Sequence, residues 1–505
     1  MMRGLLGHAY RIGLIELNPY KWRHCMPSMI INGALCDAAS GKTLDVVSPV
    51  DAQVFTTIPR GDRVDVDVAV QAARHALDGA WQKVTALERG RLLMKLSQSI
   101  LDHFDELVEL EARDTGKPLV TAENDIRVMA RYFEFYAGGA DKVHGQIIPY
   151  LNDYTVQVLR EPLGVTAHII PWNYPAQMFG RSVAPALAMG NACVVKPAED
   201  ACLSVLRVAA MAQDIGFPPG VLNVVTGLGE EAGAALAAHP DINFVTFTGS
   251  NEVGILVQQA AARHAVKCVL ELGGKSAHIV FDDVNMQLAI PAVIKSILQN
   301  TGQTCTAGSR LLVQRGVYDR FMQELTAAFS QTRAGSPSAN PDCGPLINAS
   351  QFARVNRYLD LGRQEGLQVL AEGSIDSDVP EGGYYVRPTL FGARSHDSVL
   401  LQEEIFGPVL VAVPFDTEAD AVRLANDTRY GLLGAIWTEN GGVQQRVAKG
   451  IKCGQVFING FGAGGGVELP FGGMKGSGHG REKGFVAMEE MSTTKTVVHF
   501  HGQMQ

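Results

Sequence analysis

The sequence predicts an α/β protein with more than one hydrophobic core. The chain has 505 residues, more than one core usually organises. Its composition, 46% hydrophobic and 19% charged, is that of an ordinary globular protein. Beyond Pro162, short apolar runs alternate with amphipathic helical patterns. That alternation implies a mostly parallel sheet covered on both faces.

Taken in order, the first 25 residues stand apart. They carry Arg3, Arg11, Lys21 and Arg23 against the single acid Glu16, and their apolar segment RIGLIEL is short and contains a charge. This makes a poor secretory signal, so residues 1–28 are expected to be a disordered extension, with Met26 or Met29 opening the folded part. IINGALC, Gly41 and TLDVVSPV then read as a β-hairpin and a strand. Three segments carry apolar residues at helical spacing. They are DVDVAVQAARHALDGAW, the long stretch from LERGRLL that stops at Gly116 and Pro118, and residues 124–137. VTAHIIP, ACVVKP, VLNVVTG and NFVTFTG read as strands. PAQMFGRSVAPALAMG, CLSVLRVAAMAQDIG and EEAGAALAAH read as the helices between them. A second α/β section opens near Leu272 and runs past Phe406. DYTVQVLREPLG and, at the C-terminal end, TTKTVVHFH read as ribbon strands. No repeat of fixed period is present.

Composition narrows the function. A formal net charge of −9 without a dense Lys/Arg block disfavours a nucleic-acid partner, and no apolar run reaches bilayer length. The eight cysteines, Cys25, Cys36, Cys193, Cys202, Cys268, Cys305, Cys343 and Cys453, are scattered with no CxxC pair. They read as free thiols in a reducing, cytoplasmic compartment, not as a disulfide framework or a metal site.

Two stretches suggest chemistry. In GQTCTAGSR, Cys305 lies among small residues that would let a carbonyl approach its sulfur. Upstream, LELGGKS sets Glu271 before two glycines, which permit tight packing or turning of the backbone. A thiol needs a base to become the nucleophilic thiolate. A lone cysteine is ordinarily a small core residue, so this pair gains meaning only from its context. TGLGEEAG, with Gly227, Gly229 and Gly233, and FTGSNEVG, with Gly249, Ser250 and Gly254, put glycine after a strand. Backbone amides at a helix start attract phosphate, although neither stretch is the GxGxxG fingerprint. In KPAE, Lys196 ends a strand and Glu199 follows. An acid there hydrogen-bonds ribose hydroxyls and repels a 2′-phosphate, favouring NAD over NADP. Otherwise both are solvated loop charges.

PWNYP, KPAE, FTGS, LELGGKS, GQTCTAGSR, QEEIFGPV and PFGGMKGSG occur in this order. Together they closely resemble the aldehyde dehydrogenase superfamily over about residues 30–499. The resemblance implies three parts. A Rossmann-like NAD-binding domain would span 29–147 and 160–271, and an α/β catalytic domain 272–480. A β-ribbon oligomerisation arm and C-terminal tail would span 148–159 and 481–505, in a homodimer or homotetramer. It further implies that Cys305 attacks an aldehyde to form a thiohemiacetal. The side chain of Asn173 and the backbone N–H of Cys305 would hold the oxyanion. Hydride would pass to nicotinamide, and Glu271 would activate water to hydrolyse the thioester. Glu482, in GREKG, matches a proton-relay position. Lys196 and Glu199 match contacts to the adenosine ribose, and Gly249 and Ser250 the pyrophosphate-binding helix start. Gly229 is placed with the cofactor set. Glu404 and Phe406 match contacts to the nicotinamide ribose and ring. Glu404 is chosen over Glu403 because it lies two residues before the phenylalanine. Trp172 matches an adenine-side or backbone contact.

Tyr174, Arg181 and Phe471 fall at substrate-tunnel positions. Many relatives carry an aromatic where Arg181 stands; the cation could pair with a substrate carboxylate or turn to a protein acid. Phe471 is either a tunnel wall or core packing. Gly465, in a glycine-rich segment, stands roughly where some relatives place an aromatic, which would widen the tunnel. The function expected is NAD-dependent oxidation of a small-molecule aldehyde to the free acid. Acyl transfer to coenzyme A is the sister reading, which retention of Glu271 opposes. A non-catalytic member is opposed by intact Cys305, Asn173 and Glu271. A papain-like hydrolase lacks a recognisable histidine motif.

Overall fold

The computed structural model describes residues 27–462 and 466–502. The readings made for residues 1–26 and for Gly465 lie outside them. Two large sheets organise the chain. The first has five parallel strands at its centre, in the spatial order Leu222–Val224, Ala192–Pro197, Val165–Ile170, Phe244–Thr248 and Lys267–Glu271. Met29–Ile31 and Gly478–His479 close its sides as antiparallel strands. In chain order the five run 3-2-1-4-5, so the order reverses between Val165–Ile170 and Phe244–Thr248. A ligand crevice opens beyond the carboxyl ends of strands at such a switch point.

Period-2 alternation explains why these strands read as unbroken apolar runs. Cys193, Val195, Phe244 and Val269 enter one apolar cluster. Their neighbours Ala192, Val194, Val245 and Leu270 enter another on the opposite face. The second sheet runs in the spatial order Gln368–Glu372, Thr389–Gly392, Val409–Phe415, Arg310–Gln314, Ala277–Val280, Leu433–Trp437 and Gln455–Ile458. Only its first strand is antiparallel. It is packed in the same way, with Val409, Val411 and Val413 in one cluster and Leu410 and Ala412 in the other.

Several elements differ from the sequence reading. The long amphipathic stretch is two helices, Ala86–Asp102 and Phe104–Thr115, broken at His103 (φ −109°, ψ 28°). Gly116 ends the second in the left-handed conformation (φ 73°), a common glycine helix stop. As read from the sequence, IINGALC forms a hairpin, on the first sheet, and Thr43–Val47 is a strand, paired with Val54–Pro59 in a separate ribbon. EEAGAALAAH opens as a wider π-helical turn over Gly229–Gly233 before a short α-helix, Ala234–Ala237. The three-stranded ribbon is Gln146–Ile148, Tyr154–Pro162 and Ser492–Phe500, wider than residues 148–159. Residues 482–491, grouped with the arm by sequence, do not belong to that ribbon. Glu482 pairs with Phe471, and Ala487, Met488 and Met491 sink into the core of the first sheet. Their apolar side chains are buried there rather than carried out on the arm.

Candidate active site

The first sheet supplies one wall of the crevice from its strand ends. Val165–Ile170 leads into Trp172 and Asn173, and Lys267–Glu271 ends on Glu271. Phe244–Thr248 leads into Gly249 and Ser250. The second sheet supplies the loops entering its strands: Gly273 and Gly274 before Ala277, Cys305 before Arg310, and Glu404 to Phe406 before Val409.

The loop bearing Cys305 has an unusual backbone. Asn300 (φ 49°), Thr301 (φ 59°) and Gly302 (φ 73°) are all left-handed. A non-glycine residue there costs about 1–2 kcal/mol, so the loop must be held. Asn300 Nδ2 donates to the carbonyls of Asn173 (2.8 Å) and Gln303 (3.2 Å). Thr301 Oγ1 donates to Gly344 O (3.0 Å), and Gln303 Oε1 accepts from Ile347 N (3.0 Å). Position 302 admits only glycine, because a Cβ there would lie 2.1 Å from Gly407 O.

Asn173 Nδ2 donates to Gln303 O at 2.9 Å. The amide has two N–H donors, so one holds the loop and the second is left for a ligand. The Tyr174 and Thr304 hydroxyls share a hydrogen bond of 2.8 Å, and Gln299 Nε2 donates to Tyr174 (2.8 Å). Asn173 and Tyr174 are thus tied to the two residues preceding Cys305. The glycines of LELGGKS serve packing and not turning. A Cβ on Gly273 would lie 2.3 Å from Glu404 Oε2, and one on Gly274 would lie 2.2 Å from Cys305 O.

Glu271 is 2% exposed, and neither of its carboxylate oxygens has a hydrogen-bond partner. Burial raises its pKa, while the Arg181 guanidinium opposes the rise and Glu482 adds to it. The half-buried Cys305 thiol is pushed up to about 12 by burial; Arg181 opposes this, and Glu404 and Glu271 reinforce it. The resting thiol is therefore protonated at neutral pH and depends on a base.

The remaining sequence-predicted residues divide among three places. Lys196 Nζ donates to Glu199 Oε2 (2.6 Å), and Glu199 Oε1 accepts from Gly229 N (3.4 Å). Gly249 N donates to Glu271 O (3.1 Å). The exposed Ser250 caps helix Asn251–Ala262 through Val253 N (3.3 Å). Glu404 turns inward and accepts from Gly274 N (2.9 Å), with burial raising its pKa to about 7. Glu403 faces outward to the Tyr358 hydroxyl. Trp172 and Phe406 meet edge to face at 5.4 Å. Arg181, Phe471 and Glu482 pack together behind Glu271. The guanidinium lies 4.3 Å over the Phe471 ring and contacts both Glu482 and Glu271.

Sequence reasoning missed Lys117. Its ammonium is fully buried between Glu111 (3.2 Å) and Asp125 (2.5 Å) and donates to Asn173 O (3.2 Å), fixing the backbone that carries the Asn173 amide. The signal was present in ARDTGKP, read only as a helix stop. Lys483, whose Nζ lies 5.0 Å over the Phe471 ring, was also missed; burial lowers its pKa to about 7.

Known proteins resemble this chain over almost its whole length. The aldehyde dehydrogenase family model matches residues 36–497. Aldehyde dehydrogenase 1 of Tanacetum cinerariifolium is 42% identical over 93% of this chain and 94% of its own. A crystal structure from Burkholderia cenocepacia is 53% identical, with a TM-score of 0.93 over 94% of this chain and 100% of that one. Betaine aldehyde dehydrogenase from Staphylococcus aureus, solved in complex with NAD+, is 34% identical, with a TM-score of 0.93 over 96% and 97% of the two chains. The match of the family model over residues 36–497, together with a relative 42% identical over nearly the whole chain, shows that this chain belongs to the aldehyde dehydrogenase family.

Proposed function

We propose that this chain oxidises an aldehyde to the carboxylic acid with NAD+. The observation that carries the reading is the joint placement of Cys305, Asn173 and Glu271. The braced loop ties the first two together through Gln303, and the third is buried with both oxygens unbonded. The cofactor fits the donor set. The amides that open helix Asn251–Ala262 would meet its pyrophosphate, with Lys196 and Glu199 at the ribose and Glu404 and Phe406 on the nicotinamide side. When bound, nicotinamide supplies the acceptor for the aldehyde hydrogen.

The chain's own residues do the rest. The sulfur of Cys305 adds to the carbonyl carbon as its proton passes to Glu271, which sheds it before the second half of the reaction. The charge growing on oxygen faces the spare N–H of Asn173 and the backbone N–H of Cys305; one such donor is worth about 3 kcal/mol. Loss of hydride leaves a thioester on Cys305. Glu271, ionised again, takes a proton from the attacking water, the thioester opens to the acid, and that proton passes to the departing sulfur to regenerate the thiol. Relay of the proton first taken from Cys305 is assigned to Glu482, which shares the Arg181 guanidinium with Glu271. Glu271 also argues against transfer to coenzyme A, which needs no water-activating base.

Cys305→Ala should abolish NADH formation while NAD+ still quenches tryptophan fluorescence; residual turnover would refute the nucleophile. Steady-state kinetics should favour NAD+ over NADP+, since Glu199 would face a 2′-phosphate; a preference for NADP+ contradicts that role.

The ribbon carries exposed Ile147, Val498 and Phe500, which supports assembly of copies through the arm. Among the described residues seven cysteines are free and no helix is long and apolar enough to cross a membrane. These features support a cytoplasmic reading.

A further inference from the structure

Sequence left Arg181 two partners, a substrate carboxylate or a protein acid. It lies on helix Pro175–Ala188 and is 2% exposed. Its Nε meets Glu482 Oε2, its Nη2 lies 3.7 Å from Glu271 Oε2, and its Nη1 lies 3.6 Å from Met178 Sδ. The guanidinium plane is stacked on Phe471. Glu482 is itself anchored, accepting from Thr246 Oγ1 (2.8 Å) and pairing with the Phe471 backbone in both directions at 2.7 Å. The cation is thus fixed on several sides and already shared by two carboxylates. A fork of this kind reaches two acids where an ammonium would serve as a single point. A third carboxylate arriving with substrate would add another negative charge to a buried pocket.

We propose that Arg181 is a positioning residue for Glu271: a clamped guanidinium that sets where this carboxylate rests beside Cys305, supplies its counter-charge, and is closed to a substrate carboxylate. The proposal rests on the reading of Glu271 as the water-activating base. Glu271 is held by charge at 3.7 Å and by no hydrogen bond, so it stays free to reach a water. The charged and titratable groups around it and Arg181 include Glu482, Arg481, Lys483, Tyr132, Tyr136 and Cys305. Among the cations, Arg181 is the strongest influence keeping Glu271 ionised.

The test uses full-length Arg181→Met and Arg181→Lys, assayed with a neutral aldehyde and an ω-carboxylated aldehyde of equal length. With Arg181→Met, the acidic limb of the kcat profile should move up by about one pH unit or more. A pre-steady-state NADH burst should appear at pH 7, and kcat should fall about tenfold for both aldehydes with KM little changed. Arg181→Lys should fall between this variant and the wild type. A KM increase confined to the carboxylated aldehyde, with the limb unmoved, would overturn the proposal in favour of a substrate receptor. A uniform loss with the limb unmoved would reduce Arg181 to packing and overturn it as well. Should Arg181→Met fail to fold, Glu482→Gln reads the same coupling. It gives Glu271 the whole of the Arg181 charge and should move the limb down; an unmoved limb sinks the idea. Failure of Glu271→Gln to accumulate acyl-enzyme would instead remove the base assignment, whatever Arg181 does.

Discussion

At the scale of single residues, the site is set by what burial does to two ionisable groups. The Cys305 thiol, pushed up to about 12, cannot supply thiolate by itself, and Glu271, raised to about 8, is only partly ionised at neutral pH. The carboxylate is the active form of a base. Thioester hydrolysis should therefore accelerate as pH rises through about 8, and below that value slow by about tenfold per unit. Single-turnover deacylation measured from acidic to alkaline pH should show this limb, and Glu271→Gln should erase it and trap the acyl-enzyme. Cys305, Glu271 and Asn173 were legible because each sits in a short local motif. Lys117 was not: its role needs Glu111 and Asp125 from two helices and Asn173 from the first sheet to converge. The orientation of Arg181 was equally hidden. It depends on Glu482, far along the chain and held there by a backbone bridge to Phe471 and by Thr246 Oγ1.

At the scale of elements, the two glycines after Glu271 act as a contact surface. Gly274→Ala would drive a methyl group onto the carbonyl of Cys305, 2.2 Å away. Such overpacking costs about 1–3 kcal/mol, and the displaced loop would carry the sulfur with it. Chemical denaturation should show a loss of this size, and kcat should fall more steeply than NAD+ affinity. The parallel strands were readable because both of their faces are buried and their sequence is apolar throughout. The break at His103 was not, since no glycine or proline marks it. The turn is instead closed locally by His103 Nδ1 against Ser99 O (2.9 Å). The extent of the ribbon was also obscure. Its strands mix charged and apolar residues, and pairing partners more than three hundred positions apart leave no local trace.

At the scale of the whole molecule, strand Ser492–Phe500 is an open edge of the ribbon, with Val498 and Phe500 each 55% exposed. An unpaired, apolar edge is a template for another strand. Val498→Lys should shift the particle towards a smaller species in sedimentation, and an unchanged mass would detach the arm from assembly. The two sheets have a different consequence. The carboxylate ends a strand of one sheet, while the sulfur rides a loop of the other, and each sheet has its own apolar clusters. A molecule with one half melted keeps either the acid or the sulfur in place, never both. Catalytic rate should accordingly vanish as soon as either sheet melts, no later than any spectroscopic sign of unfolding, which makes turnover the most sensitive thermometer this protein carries.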